Sequence, residues 1–292
     1  MRTCFSLLFI FIINCNTGFA QNTVLWKLTK EGSTYTSYLL GSQHLFGSSF
    51  IETYPVIKEN LLSCDIVITE TPINRAAIAQ RYNDRNYADT LSTIISKDEF
   101  NFIDSILKKS AINIRKLTPG ELYMKLLSAY PKYRCQDILK NDSLTMDEYV
   151  QFLGSRQQKH LYYLETDSFQ MGILTAISKE YDWSFFKASL PAILAKYKND
   201  RAIDNPCAPI SLYASFKLSY NFKEECNFLK GGNTNDIILR DRNAAWMKKL
   251  PQLLDQQNCF ITVGLFHLYN QCGIIQQLKM LGYKVEPVKL KK

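Results

Sequence analysis

The chain has 292 residues, 46% of them apolar and 13% aromatic, with a formal net charge of +8. This length suits one large domain or two small ones, and so much apolar and aromatic content excludes a disordered polypeptide. The charge is spread along the chain, its one dense run is KLKK at 289–292, and no basic–aromatic stripe of the kind that grips nucleic acid is present.

In chain order, the first segment is a leader. Arg2 precedes LLFIFII (7–13), an apolar run too short to span a bilayer. Gly18-Phe19-Ala20 then offers small residues at the −3 and −1 positions of a cleavage site before Gln21. Residues 1–20 therefore read as a signal peptide, and 21–292 as a single domain exported to the periplasm or the extracellular space. Cys15 offers a lipoprotein anchor as the alternative, although Asn14 is a poor residue before a lipidated cysteine. No second long apolar run follows, so no transmembrane segment is expected after cleavage.

LWKLT and TYTSYLLG read as a hairpin turning at Lys30-Glu31-Gly32-Ser33. A helix with Pro55 near its start spans about 54–62. CDIVITE (64–70) is a β-branched run typical of a strand buried on both faces. Residues 74–158 read as helices, with capping boxes at Ser96–Glu99, Thr118–Glu121 and Thr145–Glu148. HLYYLE (160–165) is strand-like and TDSFQMGILTAI opens another helix. DIILRDRNAAWMKKLPQLL (236–254) reads as one amphipathic helix, CFITVGLFH (259–267) as a buried strand, GIIQQLKMLG as a helix with a glycine stop, and YKVEPVKL as a last strand. The fold class is thus α/β: a central mixed, largely parallel sheet from two related βαβ-type halves, with the helical middle (about 74–158) as an insertion or cap.

Six cysteines lie beyond residue 20: Cys64, Cys135, Cys207, Cys226, Cys259 and Cys272. An even count in an exported chain permits up to three disulfides. Cys207 and Cys226 flank an irregular stretch and are the expected pair, while Cys64 and Cys259 lead into apolar strands and suit buried thiols. The lack of any CxxC argues against a thiol oxidoreductase.

The informative pattern is what stops each strand. YLLGSQ stops at His44, DIVIT at Glu70, LYYL at Glu165 and FITVGLF at His267. Parallel strands would bring these four side chains to one carboxyl edge, where α/β sheets bind ligands. Two imidazoles and two carboxylates suit a divalent ion, zinc or manganese, with an open position for water. His44 and His267 each stand three residues after a glycine, in GSQH and GLFH, which read as matched halves of one site. Of three histidines in the chain, His160 sits in a polar turn and reads as surface. Arg242 lies where an arginine could hold a substrate carbonyl or carboxylate, and Asp147 fits a helix cap as well as it fits a site.

These pieces, together with LW at 25–26, TMDEYV at 145–150, LYYLETDSFQ at 161–170, RDRNAAWM at 240–247 and FITVGLFHLYNQCG through LGYKVEPV at 260–288, resemble the TraB/GumN family. That family includes the pheromone-shutdown proteins and is related to the Tiki metalloproteases of animals. The resemblance covers nearly all of the chain beyond the leader. Its second motif usually reads closer to VGAGHLxG, and Leu265-Phe266 are bulkier here. The resemblance implies a fold of two related halves with the paired GxxH motifs in a metal-dependent hydrolytic site. His44 and His267 match the motif histidines, Glu70 the glutamate closing the next strand, and Glu165, Gln170, Arg242 and Asn243 further polar positions. The expected function is a secreted metal-dependent hydrolase, foremost a peptidase, acting on a peptide or small-molecule substrate. His44, Glu70 and His267 would hold the ion, Glu165 would serve as general base or fourth ligand, Arg242 would stabilise developing charge, and Gln170 and Asn243 would contact substrate. The alternative is a catalytically silent protein that sequesters a peptide or signal molecule.

Overall fold

The computed structural model of the chain describes residues 23–198, 205–225 and 236–292. The leader, Cys15, Cys226 and the Gly231-Gly232-Asn233 turn lie outside the described residues. Leu25–Lys30 (β1) and Ser37–Ser42 (β2) form the expected hairpin, with Leu25 opposite Leu40. The Ser33 amide donates to the Lys30 carbonyl, and Gly32 takes φ +76°, a left-handed conformation open to glycine without strain. Ser48–Thr53 (α1) and Pro55–Ser63 (α2) follow, then Ile66–Thr69 (β3), buried at all four positions.

Arg75–Asn83 (α3), Leu91–Ile94 (α4), Lys97–Leu107 (α5), Pro119–Arg134 (α6) and Met146–Arg156 (α7) make up the helical run. All three capping boxes form with both reciprocal hydrogen bonds, because Ser or Thr and Glu three apart satisfy each other's end of the first turn. His160–Tyr163 (β4), Asp167–Ser178 (α8), Trp183–Lys198 (α9) and Cys207–Ala214 (α10) come next. The helix expected over 236–254 is broken into a π-helical stretch, Asp236–Asp241, and two short α-helices, Arg242–Trp246 (α11) and Leu250–Leu254 (α12). Pro251 lacks an amide hydrogen and its ring clashes with the carbonyl four residues back, so the first helix ends and a new one starts with proline in its first turn. Cys259–Gly264 (β5), a 3-10 turn at Leu265–Leu268, Ile274–Met280 (α13) and Tyr283–Pro287 (β6) complete the chain.

The strand order is β4-β3-β5-β2-β1-β6. The first four are mutually parallel, and β1 runs antiparallel between β2 and β6. The sheet is therefore mixed and mostly parallel. The carboxyl ends of β2, β3, β4 and β5 meet at one edge. No helix of the described residues is long and apolar enough to cross a membrane.

Apolar side chains gather into two cores. One joins the sheet to α1, α2, α7, α10 and α13. The other joins α3, α5, α6 and α9, with Leu122, Leu126, Phe186 and Leu190 at its centre. The helical unit thus differs from the contiguous 74–158 segment expected. Met146, Val150 and Leu153 of α7 face the sheet, while α9 enters the helical core from beyond β4. The spacing of apolar residues makes both stretches helical but does not name the surface each one covers.

The expected Cys207–Cys226 pair is corrected: Cys207 bonds to Cys135, with Cα atoms 5.5 Å apart. The end of α6 comes up against the start of α10, a proximity that nearness in sequence does not reveal. Cys272 is also disulfide-bonded, and Cys64 and Cys259 are buried free thiols, as expected. The Cys135–Cys207 bond spans 72 residues. On the chain-entropy account such a loop contributes about 4 kcal/mol. The double change Cys135→Ala/Cys207→Ala is expected to lower the unfolding free energy by up to that amount in urea titrations. An unchanged midpoint would show that the bond adds nothing to stability.

Candidate functional site

Each parallel strand hands one polar side chain to the shared edge. Glu70 directly follows β3, and Glu165 follows β4 by two residues. Ser42 ends β2 opposite Gly264, which ends β5. The two GxxH frames are therefore one residue out of register: Gly41 faces Val263, not Gly264. The extra residue before His267 is absorbed by the 3-10 turn. The glycines also serve different ends. A side chain on Gly41 would collide with Leu268 Cδ1 at 2.7 Å, so Gly41 makes room for that turn. A Cβ on Gly264 would lie 3.3 Å from Glu70 Oε1, 3.6 Å from His267 Cδ2 and 3.6 Å from His44 Nε2. Gly264 is thus the point around which His44, Glu70 and His267 gather.

Both imidazoles are held from behind. His44 Nδ1 lies 2.8 Å from Asp147 Oδ2, and Asp147 Oδ1 accepts from Ser42 Oγ at 2.7 Å. Thr145 and Glu148 cap α7, which leaves the Asp147 carboxylate free for this task. His267 Nδ1 lies 2.6 Å from Asn243 Oδ1, while Asn243 Nδ2 donates to the carbonyls of His267 and Cys272, each at 3.0 Å. Two carbonyls facing the amide nitrogen fix its orientation, so Nδ1 of His267 carries the proton and Nε2 the lone pair. An acceptor behind Nδ1 with Nε2 presented forward is the arrangement of metal-ligating histidines.

Arg242, in the first turn of α11, ties the acidic residues together. Its Nη2 donates to Glu70 Oε2 and to Glu165 Oε1, both at 2.6 Å, and its Nε donates to Glu165 Oε2 at 3.0 Å. Its Nη1 lies 3.3 Å from His267 Nε2. Glu70 Oε1 accepts from the Gly264 amide at 2.7 Å, and Gln170 Nε2 donates to Oε2 at 3.3 Å. Trp246, one turn after Arg242, donates Nε1 to Glu165 Oε2 and lays its ring 4.4 Å from that of His267.

Burial sets the charges. It works against ionisation of Glu70, but His267, Arg242, His44 and the Gly264 amide outweigh it and take the carboxyl down to about 2. Burial pushes His267 down to about 4, with Arg242 and His44 acting in the same sense against Glu70, so the ring is neutral at pH 7. His44 is more open, its side chain 67% exposed, and the Asp147 carboxylate draws it above the ordinary histidine range. These groups line a cavity of about 640 Å³, whose lining also includes the apolar Ile78, Met171, Leu174, Ile238, Leu265 and Phe266 and the charged Arg75 and Lys125.

The edge therefore unites His44, Glu70, Glu165, Gln170, Arg242, Asn243 and His267, while His160 is exposed at the start of β4. Two residues of the set hold neighbours and are not among those that line the cavity. Glu165 has both oxygens engaged by Arg242 and Trp246, so it is an anchor for the guanidinium, not a free base. Asn243 is fully buried and clamps His267, out of reach of substrate. Asp147 is the residue that sequence reasoning left undecided. Its signal was present, since a capping box with its own Thr and Glu needs no third polar residue. Trp246 was not singled out, although it stands at helical spacing from Arg242.

Two imidazoles and a carboxylate suit a divalent ion in kind, the donor types zinc and manganese take. His267 Nε2 and Glu70 Oε1 are 3.8 Å apart. The edge of a tetrahedral zinc site is about 3.3 Å, so this one pair stands slightly wider than two ligands of one zinc ion. Among the described residues no three His, Cys, Asp or Glu side chains are already drawn to coordination distance.

The family model of the TraB/PrgY/gumN family matches residues 24–287. No curated protein and no solved structure matches the chain.

Proposed function

The chain belongs to the TraB/PrgY/gumN family, and on that premise we propose that it is an exported metal-dependent hydrolase of peptides. The observation that carries this reading is the pair of back-braced imidazoles meeting Glu70 around Gly264. His44, His267 and Glu70 hold the ion, zinc or manganese. A bound divalent ion lowers the pKa of its water and polarises a carbonyl. Asp147 and Asn243 fix the ring orientations, and Glu165 with Trp246 fixes Arg242 beside the site, where its charge favours an oxyanion. Gln170 steadies Glu70. Export is supported by the Cys135–Cys207 disulfide, a bond suited to an oxidising compartment.

The second reading, a silent protein that sequesters a peptide or signal molecule, draws on one observation. Arg242 already pairs with both Glu70 and Glu165 and reaches toward His267 Nε2, so an internal cation stands where an ion would act. Metal analysis of the purified protein together with digestion of a peptide library separates the two. Bound metal with turnover upholds the hydrolase; peptide retention without cleavage or metal upholds the binder.

A pH prediction follows from the His44–Asp147 pair. His44 is raised to about 9 and so is protonated at neutral pH. Binding an ion must then expel that proton. Zinc titrations in buffers of different ionisation enthalpy are expected to report about one proton released per ion at pH 7, with affinity rising about tenfold per pH unit until His44 titrates. In Asp147→Asn this dependence moves toward pH 6.5. A proton count of zero would remove His44 from the ligand set.

A further inference from the structure

The cavity holds one cation that the hydrolytic site does not use. Lys125, on the face of α6 one turn after Glu121, lines the same cavity as His44 and His267. Its ammonium stands 4.9 Å from the centre of the Tyr82 ring, and among the described residues it has no carboxylate or carbonyl partner. The other cations of the cavity wall are all matched: His44 pairs with Asp147, Arg75 with Glu148, and Arg242 with Glu70 and Glu165. Glu121, the natural partner at i−4, is taken by Arg85 at 2.7 Å and by the Thr118 amide at 2.9 Å. Arg85 stacks on the same Tyr82 ring at 4.3 Å. The remaining charges near that ring, Arg81 and Asp167, pair with each other. Charge around Tyr82 therefore sums to one unmatched positive unit, and it faces the cavity. Burial also lowers the Lys125 pKa, which a bound anion would reverse.

We propose that Lys125 is an anion subsite at the helical end of the cleft, receiving a carboxylate of the peptide whose amide lies at the histidine end. This rests on the hydrolase reading for the second half of the sentence only. Ile78, Met171 and Leu174 line the same cavity, so the chain between carboxylate and scissile bond would carry apolar side chains to meet them. The carboxylate can come from a free C-terminus or from an acidic side chain.

Three peptides distinguish the sources: N-acetyl-Leu-Leu-Phe acid, the same peptide as its amide, and N-acetyl-Leu-Leu-Glu amide. Binding to the purified chain is measured by calorimetry, and the same samples are assayed for cleavage by mass spectrometry. The acid is expected to bind about tenfold or more tightly than the amide, the size of a charge-assisted hydrogen bond. Lys125→Met, which keeps the stem over Tyr82, should erase that preference, and Lys125→Arg should retain it. A preference shared by the Glu peptide assigns the subsite to side-chain carboxylates as well. Equal binding of acid and amide, binding of neither, or a preference that survives Lys125→Met would overturn the proposal. Discrimination without cleavage sinks the hydrolase reading and leaves Lys125 standing; cleavage indifferent to Lys125→Met does the reverse.

Discussion

His267→Ala is expected to cost the protein its metal and its hydrolytic activity while leaving the fold cooperative. The ring is 3% exposed and turns Nε2, the nitrogen not held by Asn243, toward Glu70 and Arg242. Losing an outer partner of a metal ligand typically weakens binding about 10- to 100-fold, so losing the ligand itself should exceed about 100-fold, and turnover should fall to background. His44→Ala should do the same. The two variants differ in stability. Removing His267 empties a space beside Trp246 and strands the Asn243 carbonyl, so its thermal midpoint should drop. His44 is largely exposed and its midpoint should move little. Metal content by mass spectrometry, peptide turnover and calorimetric unfolding read the three quantities separately. Full metal retention and turnover in both variants would refute the ligand assignment.

The second large effect belongs to Arg242. Its guanidinium is 8% exposed and contacts two carboxylates that are themselves 11% and 6% exposed. Arg242→Met leaves both buried without a counter-charge. Breaking one side of such a buried set costs about 3–5 kcal/mol, which lowers the midpoint of a chain this size by roughly 10 °C. The sign of the pH dependence is specific. Glu70 has a folded pKa near 2, below its ordinary 4.5. Its contribution is therefore present above pH 4.5 and fades as pH falls toward 2. In Arg242→Met the Glu70 carboxyl loses one of the charges that hold it ionised, so the deficit should be greatest near pH 7 and shrink on acidification. Glu165→Gln added to Arg242→Met should recover part of the loss. A deficit that stays constant from pH 7 to pH 4 would mean that packing, not charge, accounts for it.

On the hydrolase reading, metal loading and Arg242 would be linked. Nη1 of Arg242 lies beside the lone pair that His267 would lend to an ion. The same arginine thus supports Glu70 and competes for His267, which makes it the group whose movement distinguishes a loaded site from a silent one.

Much of the architecture was legible before any coordinates. The β-branched run of β3, the three capping boxes and the glycine at the hairpin turn are local features, decided by residues within a few positions of one another. Strand termini carrying His or Glu gave the members of the site, because a parallel sheet gathers its carboxyl ends along one edge. Roles were harder. Glu165 reads as a base until Arg242 is found on both its oxygens, and Asn243 reads as a substrate contact until it is found sealed behind His267. The Cys135–Cys207 bond joins positions 72 residues apart, a separation no local signal spans.

The sequence by itself determined the elements, the mostly parallel sheet and the identity of the polar residues at its edge, since propensity, capping and the period of apolar residues are short-range quantities. Only the tertiary structure decided which partner each of those residues holds. Charge pairing, desolvation and the contest of Arg242, Asp147 and Asn243 for their neighbours depend on distances across chain separations of 24 to 172 residues, and those distances are fixed only when the two cores pack.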